Sequence, residues 1–302
     1  MKLENVKVDF QVSGWISENA EKTRFGYIGK GLIKYLEPHP KTLIYIAEKL
    51  YSRDENRVIF LLNYFMPKYE RIVSEGSENC KINGFSLDDN YLDTFLGLTK
   101  NKGKSWLYIV RGIEYLCNEG HVIAAATDTK IRPKETYYSN GPSVKEIIKK
   151  EKNKSILIPA HPLFNGNLLT NLTLKYIHEP SGINLGIQED KLRKYSSYWD
   201  ALEANSSSMT FKQTKEVEKI AEELGLPTIS DSDGDLEMAL GSCNLFSFVD
   251  FSNPEKLRKS LIDGLNKRNG NNYHEIRKLE SGLFIHKLKH LFINILQKRK
   301  YF

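Results

Sequence analysis

The chain predicts an α/β fold built on a parallel sheet, open or closed into a barrel, and three observations predict it. Short runs rich in Val, Ile and Leu, bounded by breakers, alternate with segments of helical spacing across all 302 residues. No stretch rich in Pro, Gly or Ser marks a linker and no repeat is visible, so residues 1–302 read as one domain. With 40% hydrophobic and 27% charged residues, the chain has apolar side chains enough for a sizeable core.

The elements follow in order. VKVDFQVSG, residues 6–14, alternates apolar and polar residues and reads as a strand. PKTLIYIAEKLY has helical spacing, and RVIFLLNYF is a buried strand. Residues 65–105 are polar, carry several glycines and read as an irregular insertion. WLYIVRGIEYL and HVIAAAT are two strands separated by the turn Asn118-Glu119-Gly120. SVKEIIKKEK is a short helix, opened by Ser143 with Glu146 at capping-box spacing. SILIPAHP and WDALEAN are strands. FKQTKEVEKIAEELGLP is a helix with Val217, Ile220, Ala221 and Leu224 on one face, stopped by Gly225 and Pro227. TIS is a short strand and NPEKLRKSLIDGL a helix. The end of the chain, about 274–300, reads as an amphipathic helix. Phe284, Ile285, Leu288, Leu291, Phe292, Ile295 and Leu296 interleave with Lys287, Lys289, Lys298, Arg299 and Lys300. It docks its apolar face and solvates its charges, or it offers a basic surface to nucleic acid or an acidic partner.

Composition narrows the function classes. The net charge of +6 is mild. No apolar run is long enough for a membrane span and MKLENVKVDF is not a signal peptide, so a cytoplasmic location and no membrane partner are expected. Cys80, Cys117 and Cys243 are far apart, without CxxC spacing, and are expected to be reduced.

In such an architecture function collects where strands end. Gln11 and Ser13 close the first strand, Asn63 and Tyr64 the second. Glu114 sits in RGIEYL, His121 in EGHVI and His161 in PAHP. Glu203 and Asn205 sit in LEANS, and Asp231, Asp233 and Asp235 in ISDSDGD. Carboxylates and imidazoles are ligands for Zn²⁺, Mn²⁺ or Fe. Each has a plainer alternative: a hydrogen-bonded histidine at a strand end, Glu114 paired with Arg111, a solvated SDSDGD turn. Their convergence at strand ends sets the metal reading level with these. SDSDGD is no EF-hand loop, because no glutamate follows at the required spacing.

This order of motifs resembles the PHP (polymerase and histidinol phosphatase) superfamily of metal-dependent phosphoesterases. VRGIEYLCNEGHVIAAAT is similar to its "G-x-E … G-H-x-L" segment, and SILIPAHPLF to its "AHP" strand. DALEANS resembles "daiEvyN", and TKEVEKIAEELGLPTISDSDG resembles "A-x-x-L-G-L-P … SDAH". The likeness spans most of residues 6–268. It implies a distorted (β/α)7 TIM-like barrel with up to three metals at the C-terminal strand ends, interrupted by the 65–105 insertion. The departures are specific. Gln11 and Ser13 stand at the family's His-x-His, and Leu62, Asn63 and Tyr64 at its Thr-Asp-His. Asp233-Gly234-Asp235 stands at its Asp-Ala-His. What the resemblance keeps is Glu114, His121, His161 and Asp233, with Asp235 as a possible ligand.

The resemblance thus implies a reduced site, holding one divalent ion (Zn, Mn or Fe) or none. An enzyme of this kind hydrolyses a phosphate ester with metal-activated water. Glu114, His121 and His161 would hold the ion, and Asp233 would hold a second ion or act as general base. Arg111 or Lys212 would meet the phosphate of a phosphorylated small molecule or nucleic acid. The alternatives are a catalytically inactive binding or scaffold module on the same fold, and a nucleic-acid-binding protein or nuclease.

Overall fold

The computed structural model describes residues 1–13, 42–62, 78, 80–88, 95–100, 103–117, 119–127, 142–164, 186–206, 209–231, 243–267 and 274–275. In chain order the elements are β1 (Lys2–Ser13), α1 (Thr42–Leu50), β2 (Asn56–Leu62), β3 (Phe85–Asp88), β4 (Phe95–Lys100), β5 (Leu107–Cys117) and β6 (Gly120–Ala125). Then come α2 (Val144–Glu151), β7 (Ile156–Pro159), α3 (Glu189–Lys194), a 3₁₀ turn (Ser196–Tyr198), β8 (Leu202–Asn205) and α4 (Phe211–Leu224). The last are β9 (Thr228–Ser230), β10 (Cys243–Asp250), α5 (Pro254–Asn266) and β11 (His274–Glu275).

Local chemistry opens α2, α4 and α5 where the sequence predicts helices, whereas α3 answers to no predicted helix. Ser143 and Glu146 form the capping box that opens α2, and Thr210 and Gln213 form another that opens α4. Gly225 ends α4 in the left-handed conformation, with φ +65°. Asn253 caps α5, whose first residue is Pro254.

The sheet corrects the barrel expected from the resemblance. Nine strands form one open sheet in the order β11-β10-β1-β2-β5-β4-β3, with β6 paired to β5 and β7 to β6. β8 and β9 form a separate two-stranded sheet, and no closed barrel is found among the described residues. The wholly parallel sheet is corrected as well. β1–β2, β2–β5 and β8–β9 run parallel, whereas β5–β6, β6–β7 and β1–β10 run antiparallel. The reason at β5–β6 is chain length. Two residues separate Cys117 from Gly120, enough for a hairpin and far too few for a parallel crossover. The insertion is not irregular throughout, since β3 and β4 form a hairpin that extends the sheet beyond β5. The expected terminal helix begins differently: His274 and Glu275 pair with β10 as a strand, and residues 276–300 lie outside the described residues.

Side chains hold the gap between the two sheets. On one side the wholly buried Asn244 amide donates to Ser230 O at 2.8 Å and Val8 O at 3.2 Å, and accepts Ser230 N–H at 3.0 Å. On the other, the Asp200 carboxylate accepts Leu157 N–H at 2.8 Å, while Asp200 N–H donates to Leu157 O at 2.9 Å. These bridges satisfy backbone groups that would otherwise need a ladder partner.

Asp200 gives this bridge a pH dependence. Burial pushes its carboxyl up from 3.8 to about 6, against the lowering effect of the Leu157 N–H bond. The folded chain therefore holds this proton more tightly than the unfolded chain. The stability so gained is full below pH 3.8 and is lost as pH rises through about 6. For a partly exposed group the difference is on the order of 2 kcal/mol. Asp200→Asn keeps an acceptor for Leu157 and removes the titration. Urea midpoints measured from pH 4 to 7 should fall less steeply for the variant than for the wild type, and equal slopes would refute the assignment.

Alternation divides the core by face. Val8, Phe10, Val58, Phe60, Tyr108, Val110 and Ile123 pack on one side, where the Phe10 and Phe60 rings stack at 5.1 Å. Ile59, Leu61, Ile109, Ile113 and Tyr115 pack on the other with α1, α2 and α4. No helix among the described residues is long and apolar enough to cross a membrane.

Candidate metal centre

Glu114 lies on the same face of β5 as Tyr108 and Val110, and across the β5–β6 ladder it is opposite Ile123. Two residues before Ile123, His121 shares that face and meets the carboxylate: its Nδ1 is 2.7 Å from Glu114 Oε1. His161, in the turn after β7, brings Nε2 to 3.5 Å from the same oxygen. All three are buried, and their donor atoms lie within 4.8 Å of one another. The two imidazoles stand edge to face at 4.8 Å between centroids. On the far side of the carboxylate, Gln11 Nε2 donates to Glu114 Oε2 at 3.2 Å.

The backbone explains the convergence. Ala160 N–H donates to His121 O at 3.0 Å, so the tip of β7 is tied to the residue that begins the site on β6. His161 and Leu163 then take positive φ, +32° and +62°, and fold Pro162 into a tight turn. Gly186 packs against that turn so closely that a Cβ there would overlap His161 O. On β1 the pairing register shifts between Asp9 and Val12. Two buried carboxylates take up the displaced amides: Asp231 Oδ1 accepts Phe10 N–H at 2.9 Å, and Asp9 Oδ1 accepts Gln11 N–H at 3.1 Å.

Burial by itself would raise the Glu114 carboxyl. Hydrogen bonds from His121 and His161, and then their charges, outweigh it and hold the group well below the usual carboxylate range. The donor set suits a divalent ion: one carboxylate oxygen and two imidazole nitrogens match catalytic sites that use three protein ligands. Ligand arms of 2.0–2.2 Å in a tetrahedral site imply donors about 3.4 Å apart. The Glu114–His161 separation meets that, and the Glu114–His121 contact must open by under about 1 Å. Thiolate chemistry is not supported at the described cysteines. Burial pushes Cys80 and Cys117 up to about 12, and neither forms a disulfide.

The other expected residues are placed as follows. Arg111 is buried on β5, and alternation sets it with Ile109 and Ile113 on the face opposite Glu114. Lys212 is exposed in the first turn of α4, where its neighbour Gln213 donates Nε2–H to Leu163 O at 3.1 Å. The helix therefore starts beside the His161 turn. Glu203 is fully buried and accepts His161 N–H. Asp233, Asp235, Asn63 and Tyr64 lie outside the described residues. Asp9 is a site-supporting residue that the strand reading passed over. In VKVDFQV it occupies a polar position of the alternating pattern, like Lys7 and Gln11, so the sequence carried no signal of its burial.

Fold and site together define an α/β protein with a buried Glu–His–His group able to hold a metal ion. No family model matches the chain, and no curated protein matches it. Among solved structures it is similar to PsfC from Pseudomonas syringae PB-5123, at 12% identity over 99% of this chain and 100% of that one, with a TM-score of 0.51. At that identity the likeness concerns the fold alone.

Proposed function

We propose that this protein is a metal-dependent phosphoesterase with a reduced site, related to the PHP superfamily. The observation that carries the reading is the Glu114–His121–His161 convergence, which supports the motif order seen in the sequence. Glu114 Oε1, His121 Nδ1 and His161 Nε2 would hold one Zn²⁺, Mn²⁺ or Fe ion. Such an ion supplies Lewis acidity, lowering the pKa of water and polarising a phosphoryl oxygen. The chain does the rest. Gln11 holds Glu114 Oε2 and leaves Oε1 turned to the imidazoles. Buried walls keep water from competing for the donors. We assign Lys212 to meeting substrate phosphate and Asp233 to proton transfer. The substrate is a phosphorylated small molecule or a nucleic acid.

One observation favours a second reading, a catalytically inactive binding module. The neutral Gln11 amide stands beside Glu114 where a second metal ligand would add to the charge that stabilises a phosphoryl transition state. Elemental analysis of the purified protein, with phosphate-ester hydrolysis assayed before and after chelation, separates the two. The enzyme reading expects about one equivalent of transition metal and slow hydrolysis that chelation abolishes and Mn²⁺ or Zn²⁺ restores. Absence of both metal and turnover gives the case to the binding module.

A further inference from the structure

We infer that Glu203 is a positioning residue of the metal centre, aiming His161 through its backbone. The inference rests on the metal reading of the Glu114–His121–His161 group and names what sets its geometry. His161 is the one of the three donors that no strand holds: β7 ends at Pro159, and His161 stands in the turn beyond it. Its φ of +32° is unfavourable for an L-residue and persists only when the surroundings enforce it. The enforcing contact at its amide is the Glu203 carboxylate, which reaches from β8 in the other sheet and is 0% exposed. An amide whose acceptor is itself buried has no water to turn to, so the contact fixes the direction of the N–H. Elsewhere in the turn Phe164 N–H donates to His161 O at 3.2 Å, Leu163 N–H donates to Ile187 O at 3.1 Å, and Gln213 Nε2–H donates to Leu163 O at 3.1 Å, none of which holds the His161 amide.

The consequence is specific to the imidazole. With its amide fixed, His161 presents Nε2 to Glu114 Oε1. With the amide released, the turn can relax toward ordinary φ and swing the ring away. A residue holding a metal ligand in this indirect way is worth about 10–100-fold in metal affinity. A residue that merely stabilises the junction between the sheets would change stability and leave affinity alone.

The experiment uses the full chain, with Mn²⁺ and Zn²⁺ as probes in calorimetric titration at a temperature where every variant is folded by circular dichroism. Glu203→Ala should weaken binding by about 10–100-fold. Glu203→Gln keeps an acceptor for His161 N–H and should bind within a few-fold of wild type. The Co²⁺-loaded Glu203→Ala protein should also show a visible spectrum altered from wild type, which Glu203→Gln restores. Wild-type affinity in both variants overturns the positioning role while the metal reading stands. Absence of binding by the wild type overturns the metal reading first, and the positioning role with it.

Discussion

Replacing His161 with alanine should lower affinity for Mn²⁺ or Zn²⁺ by about 100-fold or more, because one of three protein donors disappears. That is about 3 kcal/mol of binding free energy. His121→Ala should do the same to binding, yet the two should differ when no ion is present. His121 is the closer partner of Glu114, 2.7 Å against 3.5 Å, and the imidazoles are what offset the burial of that carboxylate. Removing His121 leaves a buried carboxylate with less compensation than removing His161 does. The metal-free His121→Ala protein should therefore unfold at lower urea than the metal-free His161→Ala protein. Hydrolysis, if the enzyme reading holds, should vanish in both. Unchanged metal content and stability in His161→Ala would end the metal reading and favour a binding module.

Much of the site was legible because its chemistry is local. The Glu114 and His121 signals lie seven residues apart on strands joined by a two-residue connection, so their meeting needs only a hairpin and strand alternation. His161 was legible as a histidine where an apolar run stops at proline. That β8 and β9 stand apart was not legible. A chain alternating strands and helices reads the same whether that pair joins the main sheet by a ladder or by side chains. Here two polar residues, Asp200 and Asn244, decide the matter by contacts from 14 to 236 residues away. The antiparallel pairing of β5 with β6 was available from the short turn, but the α/β pattern carried the reading instead. Arg111 shows the limit of proximity in sequence: three residues from Glu114, it falls on the other face of the same strand.

The largest effect on folding is expected at a residue outside the metal centre. Glu151 ends α2 with its side chain 0% exposed. Its position follows from periodicity: Val144, Ile147, Ile148 and Glu151 occupy one helical face, so the helix carries a carboxylate into the core with its apolar residues. The carboxylate is satisfied there by two hydroxyls. Tyr115 donates to Oε1 at 2.5 Å and Thr127 donates to Oε2 at 2.7 Å. These three side chains tie α2 to β5 and to the residues that follow β6, and Tyr115 is the chain neighbour of Glu114. Glu151→Ala would leave two buried hydroxyls without this acceptor and open a void, costing about 3–5 kcal/mol. Glu151→Gln preserves the volume and an acceptor, and its new amide must face a hydroxyl able to turn its lone pairs, so about 1 kcal/mol is expected. Tyr115→Phe separates packing from hydrogen bonding. It should cost about 1–2 kcal/mol in the wild type and much less in Glu151→Ala, because the interaction it removes is already gone. Urea denaturation of the four proteins closes this double-mutant cycle, and additive losses would show that the hydroxyl–carboxylate contact contributes nothing to stability. In Glu151→Gln, metal affinity should stay at the wild-type value, since Tyr115 and Glu114 project to opposite faces of β5.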